Sequence, residues 1–256
     1  GITHHYQYTY DNANNAEAAL NAAQSAGIKV IVTCPELTTT PETIVNRFKN
    51  HPALASYFIQ DEPGTESEFI TAGTLANRIR AVDNLHFCYL NTGPGGQTNP
   101  VGGIPYATYL GWYYTHFNPE IVSFDHYPIR EDKTTHAVYV RRDWYYNLDF
   151  ISTFSKNIGK PFWAFALSGS HDVGQEWYYP EPTIAHLRLQ VYSNLAYGAQ
   201  GIQYYTFWQI NAPDFYIAPI TYNGVKTAVY DRVKTVNEEI KNLSFVFYGS
   251  TVKWVR

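Results

Sequence analysis

The chain is poor in the features that mark several common protein classes. It holds two cysteines, Cys34 and Cys88, each near the end of an expected strand in apolar surroundings. Thiols in such settings are expected to be free and buried rather than bridged, so cysteine use leaves the compartment open, with export to a periplasm or the exterior the favoured expectation. No apolar run approaches the length of a membrane span, no signal-peptide pattern stands at the start, and no membrane partner is expected. The chain opens at Gly1 without an initiator Met, which raises the expectation of a processed or truncated start. Charged residues are only 16%, and their balance of −4 with a pI near 6.1 argues against nucleic acid or an anionic surface as partner. No glycine-rich phosphate loop follows an early strand, which counts against an open doubly wound sheet. Neither a His-x-His pair nor a His-Glu-x-x-His spacing occurs, and no cofactor is implied.

What the chain has in quantity is aromatic side chains. They make up 17% of its 256 residues, with 23 Tyr, 14 Phe and 6 Trp. Tyr and Trp combine a flat apolar face with a polar edge, which suits sugar rings and protein interfaces alike, and a Tyr-rich core is the plainer alternative. The length fits one large domain of the size of an α/β barrel, and a hydrophobic content of 45% can fill its core.

Taken in order, the sequence alternates strand and helix. Ile2–Tyr8 reads as a strand, Ala16–Ala26 as a helix closed by Gly27, and Lys29–Cys34 as a β-branched strand closed by Pro35 and Glu36. A helix then starts at Thr40-Pro41 and runs through Lys49, followed by a strand over Ser56–Asp61, a helix over Glu66–Val82 and a strand over Leu85–Asn91. A Gly/Pro-rich loop covers Thr92–Gly103, and an aromatic helix covers Tyr106–Phe117. Next come a strand over Glu120–Tyr127, a long helix over Ala137–Asn157 ended by Gly159, a strand over Pro161–Ser168 and a long loop over Gly169–Pro182. Thr183–Tyr197 reads as a helix, Gly201–Trp208 as a strand and Lys226–Leu243 as the last helix, with a β-like tail over Phe245–Val255. Repeats of roughly 25 to 40 residues of this kind make a parallel sheet. The expected fold is an α/β (β/α)8 TIM barrel over residues 1–243, its first strand missing or upstream, with a C-terminal β-like extension over 244–256 that points to an accessory β domain.

The expected strand ends are polar. They carry His5 and Gln7, Glu36, Asp61-Glu62, Asn91, Asp125-His126-Tyr127, Ser168, and Trp208-Gln209. In a barrel these ends gather on one rim, where ligands bind and chemistry happens. The sharpest change of character is Tyr57-Phe-Ile-Gln-Asp-Glu-Pro-Gly64, a strand that runs into two carboxylates and stops. Buried strands do not end so unless water, a partner or a substrate meets the charge.

His51-Pro52-Ala53-Leu54 leading to Tyr57 and Asp61-Glu62-Pro63 resembles the strand-four signature of the clan A glycoside hydrolases, with Asp where Asn is usual. Ser123–Pro128 resembles that clan's strand six, where a His or Tyr contacts the sugar or the nucleophile. Gly201–Trp208 resembles strand eight, whose Trp floors the sugar subsite. The resemblance implies a glycosidase on a (β/α)8 barrel, acting on an oligo- or polysaccharide with Glu62 at the position of the catalytic acid. It breaks at strand seven, where Phe162–Ser168 holds no carboxylate in place of the clan's nucleophile. The nearest later acids are Asp172 and Glu176.

Glycoside hydrolysis needs a protonated carboxyl for the leaving oxygen and a second, ionised carboxylate. Glu62 is the candidate acid. Strand alternation would turn Asp61 to the other face, as a supporting group. Asp125 ranks first for the second carboxylate, ahead of Glu36 and Glu176. His5, Glu36, Asp61, Asn91, His126, Tyr127, Trp208 and Gln209 complete the candidate sugar-binding set, and Trp177-Tyr178-Tyr179 is a candidate cover for the cleft. Four of them have a structural alternative: an ion pair at the strand end for Glu62, a loop bond for Asp125, surface placement for Glu36, core packing for His5. Two rival functions stay open. One is a non-catalytic carbohydrate-binding barrel; the other is a metal-dependent hydrolase drawing on His5, Asp61, Glu62, Asp125, His126 and His171.

Overall fold

Small apolar residues at helical spacing build the first helix, Ala13–Ala26 (α1), which buries Ala13, Ala16, Leu20 and Ala23 along one stripe. Asn12 caps its start by accepting the Asn15 amide, and Gly27 ends it at φ 68°, a left-handed conformation open to a residue without Cβ. The computed structural model describes residues 2–7, 9–95, 103–253 and 255, in two compact units that meet in sequence at Ser123 and Phe124.

In the first unit, strands His4–Tyr6 (β1), Lys29–Val32 (β2), Leu54–Asp61 (β3) and Phe87–Thr92 (β4) pair in parallel in chain order. Parallel neighbours cannot be joined by a hairpin, and helices make the crossings. These are α1, Pro35–Thr39 (α2) with Pro41–Phe48 (α3), and Glu66–Arg80 (α4). Tyr106–Trp112 (α5) follows β4 and continues as a π-helical turn over Tyr113–Phe117. That turn packs on α4 at Gly73, where a Cβ would fall 2.0 Å from the His116 carbonyl oxygen. Only glycine allows so close an approach. Val30, Ile31, Val32, Leu54, Tyr57, Tyr89 and Leu90 are all buried, as expected of strands covered on both faces.

The strand Val122–Phe124 (β5) spans the boundary between the units. In the second unit, Phe162–Leu167 (β8) and Gly201–Tyr205 (β11) pair in parallel over five residues. Their helices are Trp144–Ile158 (α6), Ile184–Ala196 (α7) and Ala228–Asn242 (α8). Ala166, Leu187, Val191, Val229, Val233 and Val236 form the core between α7, α8 and β8. The other short strands are Ile129–Asp132 (β6), Val138–Val140 (β7), Ser170–Asp172 (β9), Trp177–Tyr179 (β10) and Phe215–Ile217 (β12). They make a separate antiparallel sheet in the order β12-β9-β10-β6-β7. The alternation of parallel strands with covering helices is the (β/α) architecture of the TIM-barrel class.

Three expectations from sequence are corrected. The helix expected from Ala137 begins at Trp144, because Ile129–Val140 is a hairpin. Asp132 accepts the amides of Thr134 and Thr135 and fixes its turn, and β-branched Val138 and Val140 suit the strand. The long loop over 169–182 contains β9 and β10, which pair with each other. The tail expected to be β-like begins as a short helix, Ser244–Phe247 (α9), and the described residues after it form no strand. Most of the Gly/Pro-rich loop after β4, residues 96–102, lies outside the described residues. Among the described residues no helix is long and apolar enough to cross a membrane.

Candidate active site

Strand β3 does not reach its end in regular form. Its register against β4 shifts between Phe58 and Gln60, a bulge that re-aims the residues beyond it. Glu62 then takes φ 41°, left-handed backbone that a residue with a side chain adopts at a cost of about 1–2 kcal/mol. The simple alternation that would separate Asp61 from Glu62 onto opposite faces therefore does not apply here. Bulges and strained residues concentrate at sites where a side chain must be presented in a particular direction.

Neighbouring β4 holds this strained end. The Glu62 amide donates to the Asn91 carbonyl at 2.9 Å, and Asn91 Nδ2 donates to Asp61 Oδ1 at 3.1 Å. Asn91 is itself buried, and its Oδ1 accepts from Ser123 Oγ at 2.8 Å. Ser123 Oγ lies 2.8 Å from Tyr89 Oη, and the Ser123 carbonyl accepts from Thr92 Oγ1 at 2.8 Å. The carboxylate of Glu62 is exposed at the end of this chain of hydrogen bonds, followed at once by buried Pro63. Asp61, Glu62 and Asn91 are thus brought together.

The other candidates of the first unit are placed differently. His5 is an exposed residue of β1, in register with Val30 of β2. Glu36 stands in the first turn of α2, not on a strand, and its Oε1 accepts the Ala13 amide at 3.2 Å. Its own backbone amide and that of Ala13 hold its carboxyl below the usual range. Glu36 thus ties the starts of α2 and α1 together.

In the second unit, β5 ends at Phe124, so Asp125, His126 and Tyr127 follow the strand instead of lying in it. Asp125 is half-buried, while His126 is 1% exposed. The His126 ring packs on Trp144 at 5.3 Å between centroids, and Nε2 lies 3.5 Å from Asp143 Oδ1. Burial pushes this imidazole down to about 4, against the pull of Asp143, so it is neutral at pH 7. Burial works to raise the Asp143 carboxyl, but bonds to His126 and Arg141 outweigh it and leave the group below its usual range. His126 is an interior side chain, not one presented at the surface.

Tyr127 stacks on Tyr205 at 6.0 Å and meets the Tyr179 edge at 5.7 Å. Burial raises the Tyr179 phenol, which also feels Arg130, Arg141 and the Asp125 charge. Arg130 lies over the Trp177 ring at 3.4 Å, a cation–π contact. Trp177, Tyr178 and Tyr179, expected in a loop, are therefore the strand β10.

Trp208 is 52% exposed, a rare position for so large an aromatic ring. Gln209 is engaged internally: its Nε2 donates to the carbonyls of Phe215 and Tyr216 at 3.1 and 3.3 Å, and its Oε1 accepts the Tyr222 amide at 3.4 Å. It braces the segment that carries β12. That segment borders an open depression of about 790 Å³ lined by His171, Asp172, Tyr205, Asp214, Phe215 and Tyr216. Of these, Tyr205, Asp214, Phe215 and Tyr216 are not among the candidates read from sequence. The signal for the last three was present in Pro213-Asp214-Phe215-Tyr216-Ile217, a turn followed by residues of high strand propensity. Among the described residues no three or more His, Cys, Asp or Glu side chains are grouped to hold a metal ion.

The fold has clear relatives among solved structures. A beta-galactosidase from the psychrophilic Marinomonas ef1 superposes with a TM-score of 0.71 at 12% identity, over 96% of this chain and 56% of that one. Xylanase 10B from Thermotoga maritima gives 0.58 at 12% identity, over 90% and 81%. The GH99 endo-alpha-mannosidase from Bacteroides thetaiotaomicron gives 0.56 at 14% identity, over 92% and 75%. At such identities the likeness carries the fold alone, that of the (β/α)8-barrel class. Residues 102–243 match the model of glycoside hydrolase family 42, described as beta-galactosidase, and the chain belongs to that family. It spans 56% of the length of the Marinomonas enzyme. No curated protein sequence matches it.

Proposed function

We propose that the protein hydrolyses β-galactosides and related glycosides, with Glu62 as the proton donor. The observation that carries this reading is the backbone of Glu62 itself. An exposed carboxylate on a left-handed residue, set beyond a bulge and pinned through Asn91, is a costly arrangement with no evident benefit to packing. The family description, beta-galactosidase, supports the choice of substrate class.

In this reading the Glu62 carboxyl gives its proton to the glycosidic oxygen as the bond to the anomeric carbon breaks. A second carboxylate either takes a proton from the attacking water or adds to the anomeric carbon and is then displaced by water. Asp125 is our candidate for it. Asp61 and Asn91 position Glu62, and exposed Trp208 offers a stacking face to a sugar ring.

The absence of a carboxylate between Phe162 and Ser168 favours a second reading, a barrel that binds saccharide without cleaving it. Incubating the purified protein with a panel of alkyl and aryl β-galactosides separates the two. Our reading predicts galactose release that Glu62→Gln abolishes; saccharide binding with no product from any glycoside would establish the alternative.

A further inference from the structure

The depression beside β12 has the makings of a binding site of its own. Its volume of about 790 Å³ falls within the roughly 300–1,000 Å³ of small-molecule sites. Tyr216 stands on its border 51% exposed, yet held on three sides. Its hydroxyl donates to Asp172 Oδ2 at 3.4 Å, its ring meets Tyr178 edge-on at 6.2 Å, and its carbonyl is held by Gln209. A platform fixed in this way loses little freedom when a ligand settles on it.

The polar groups differ in what they have left to give. Asp172 is balanced by Lys133 Nζ at 2.7 Å and accepts the Gly174 amide. Asp214 is exposed and makes no hydrogen bond or ion pair to a described side chain, so its carboxylate can accept from two hydroxyls. His171 is 7% exposed, its ring stacked on Phe215 at 4.9 Å, with Nδ1 buried and unpartnered. With Asp172 neutralised, the depression carries the single negative charge of Asp214, which repels anionic ligands.

We propose that this depression is a saccharide subsite. It takes a neutral hexose unit of a galacto-oligosaccharide with the ring against Tyr216 and hydroxyls bonded to Asp214. A flat aromatic face beside a carboxylate matches the two surfaces of a pyranose, one apolar and one ringed by hydroxyls. The inference rests on the carbohydrate reading above and adds a second place where the saccharide is held.

Calorimetric titration of the Glu62→Gln protein with β-1,4-galactotetraose tests it without turnover. Adding Tyr216→Ala is expected to weaken binding roughly tenfold, and adding Asp214→Asn severalfold, while tetragalacturonate binds more weakly than the neutral tetraose. Both substituted side chains are exposed, and unchanged melting temperatures confirm that the variants are folded. Equal affinity in all three proteins, tighter binding of the uronate, or no binding of galactotetraose to Glu62→Gln would each overturn the subsite. Because affinity is read and not product, the outcome is separate from whether Glu62 is the proton donor.

Discussion

The amide of Glu62 donates to the carbonyl of Asn91 at 2.9 Å, while the Asn91 side chain donates to Asp61 at 3.1 Å. One buried residue on β4 therefore fixes both acids at the end of β3. Asn91→Ala removes the donor to Asp61 and the acceptor for Ser123 inside a buried network. A loss of about 1–3 kcal/mol in urea unfolding is expected. As a positioning residue, Asn91 should also lower kcat more than it changes KM.

The left-handed backbone of Glu62 leads to a separate expectation. Glycine adopts φ 41° without a Cβ clash, so Glu62→Gly relieves strain that offsets the entropy it adds to the unfolded chain. The variant should be inactive and at least as stable as the parent in thermal melting. A fall in stability of more than about 1 kcal/mol would mean that the Glu62 side chain packs or pairs structurally.

Two buried histidines set the acid limit. Burial lowers both His126 and His171 from an ordinary value near 6.5 to about 4. Above pH 6.5 both are neutral, folded or unfolded, and stability should be flat on their account. Between about 6.5 and 4 the unfolded chain takes up protons that the folded chain refuses, so stability falls as pH falls. The loss is at most about 3 kcal/mol for each histidine. Urea midpoints across pH 4–8 check this, and His171→Phe should flatten the slope. An unchanged slope in that variant would show that His171 does not contribute.

The fold was legible wherever local pattern and final structure agree. Gly27 and Gly159 end helices as expected, at φ 68° and 66°, the strand β8 falls within the apolar run that announced it, and β3 and β4 overlap theirs with ends displaced by one or two residues. The antiparallel sheet was not legible as a whole, because two of its four pairings join distant segments: Trp177 faces Asp132, and Phe215 faces His171. Short strands of this kind are set by partners far along the chain, which periodicity does not see.

The same limit applied to the site. The pair Asp61-Glu62 was visible as charge at the end of an apolar run. Its geometry was not, since the bulge after Phe58 breaks the alternation from which a face would be read. Gln209 looked like a sugar ligand by its place after a strand, but its side chain braces Phe215, Tyr216 and Tyr222. Glu36 looked like a strand-end acid and instead caps the start of α1.

The central claim is that Glu62 protonates the leaving oxygen, and the leaving group itself provides the most direct test. Rates for Glu62→Gln should be compared on methyl β-galactoside, whose alkoxide must be protonated to leave, and on 2,4-dinitrophenyl β-galactoside, which needs no proton. The account predicts a loss on the order of 10³-fold with the methyl glycoside and a much smaller loss with the dinitrophenyl one. Equal losses on both, or parental turnover of the methyl glycoside, would contradict it.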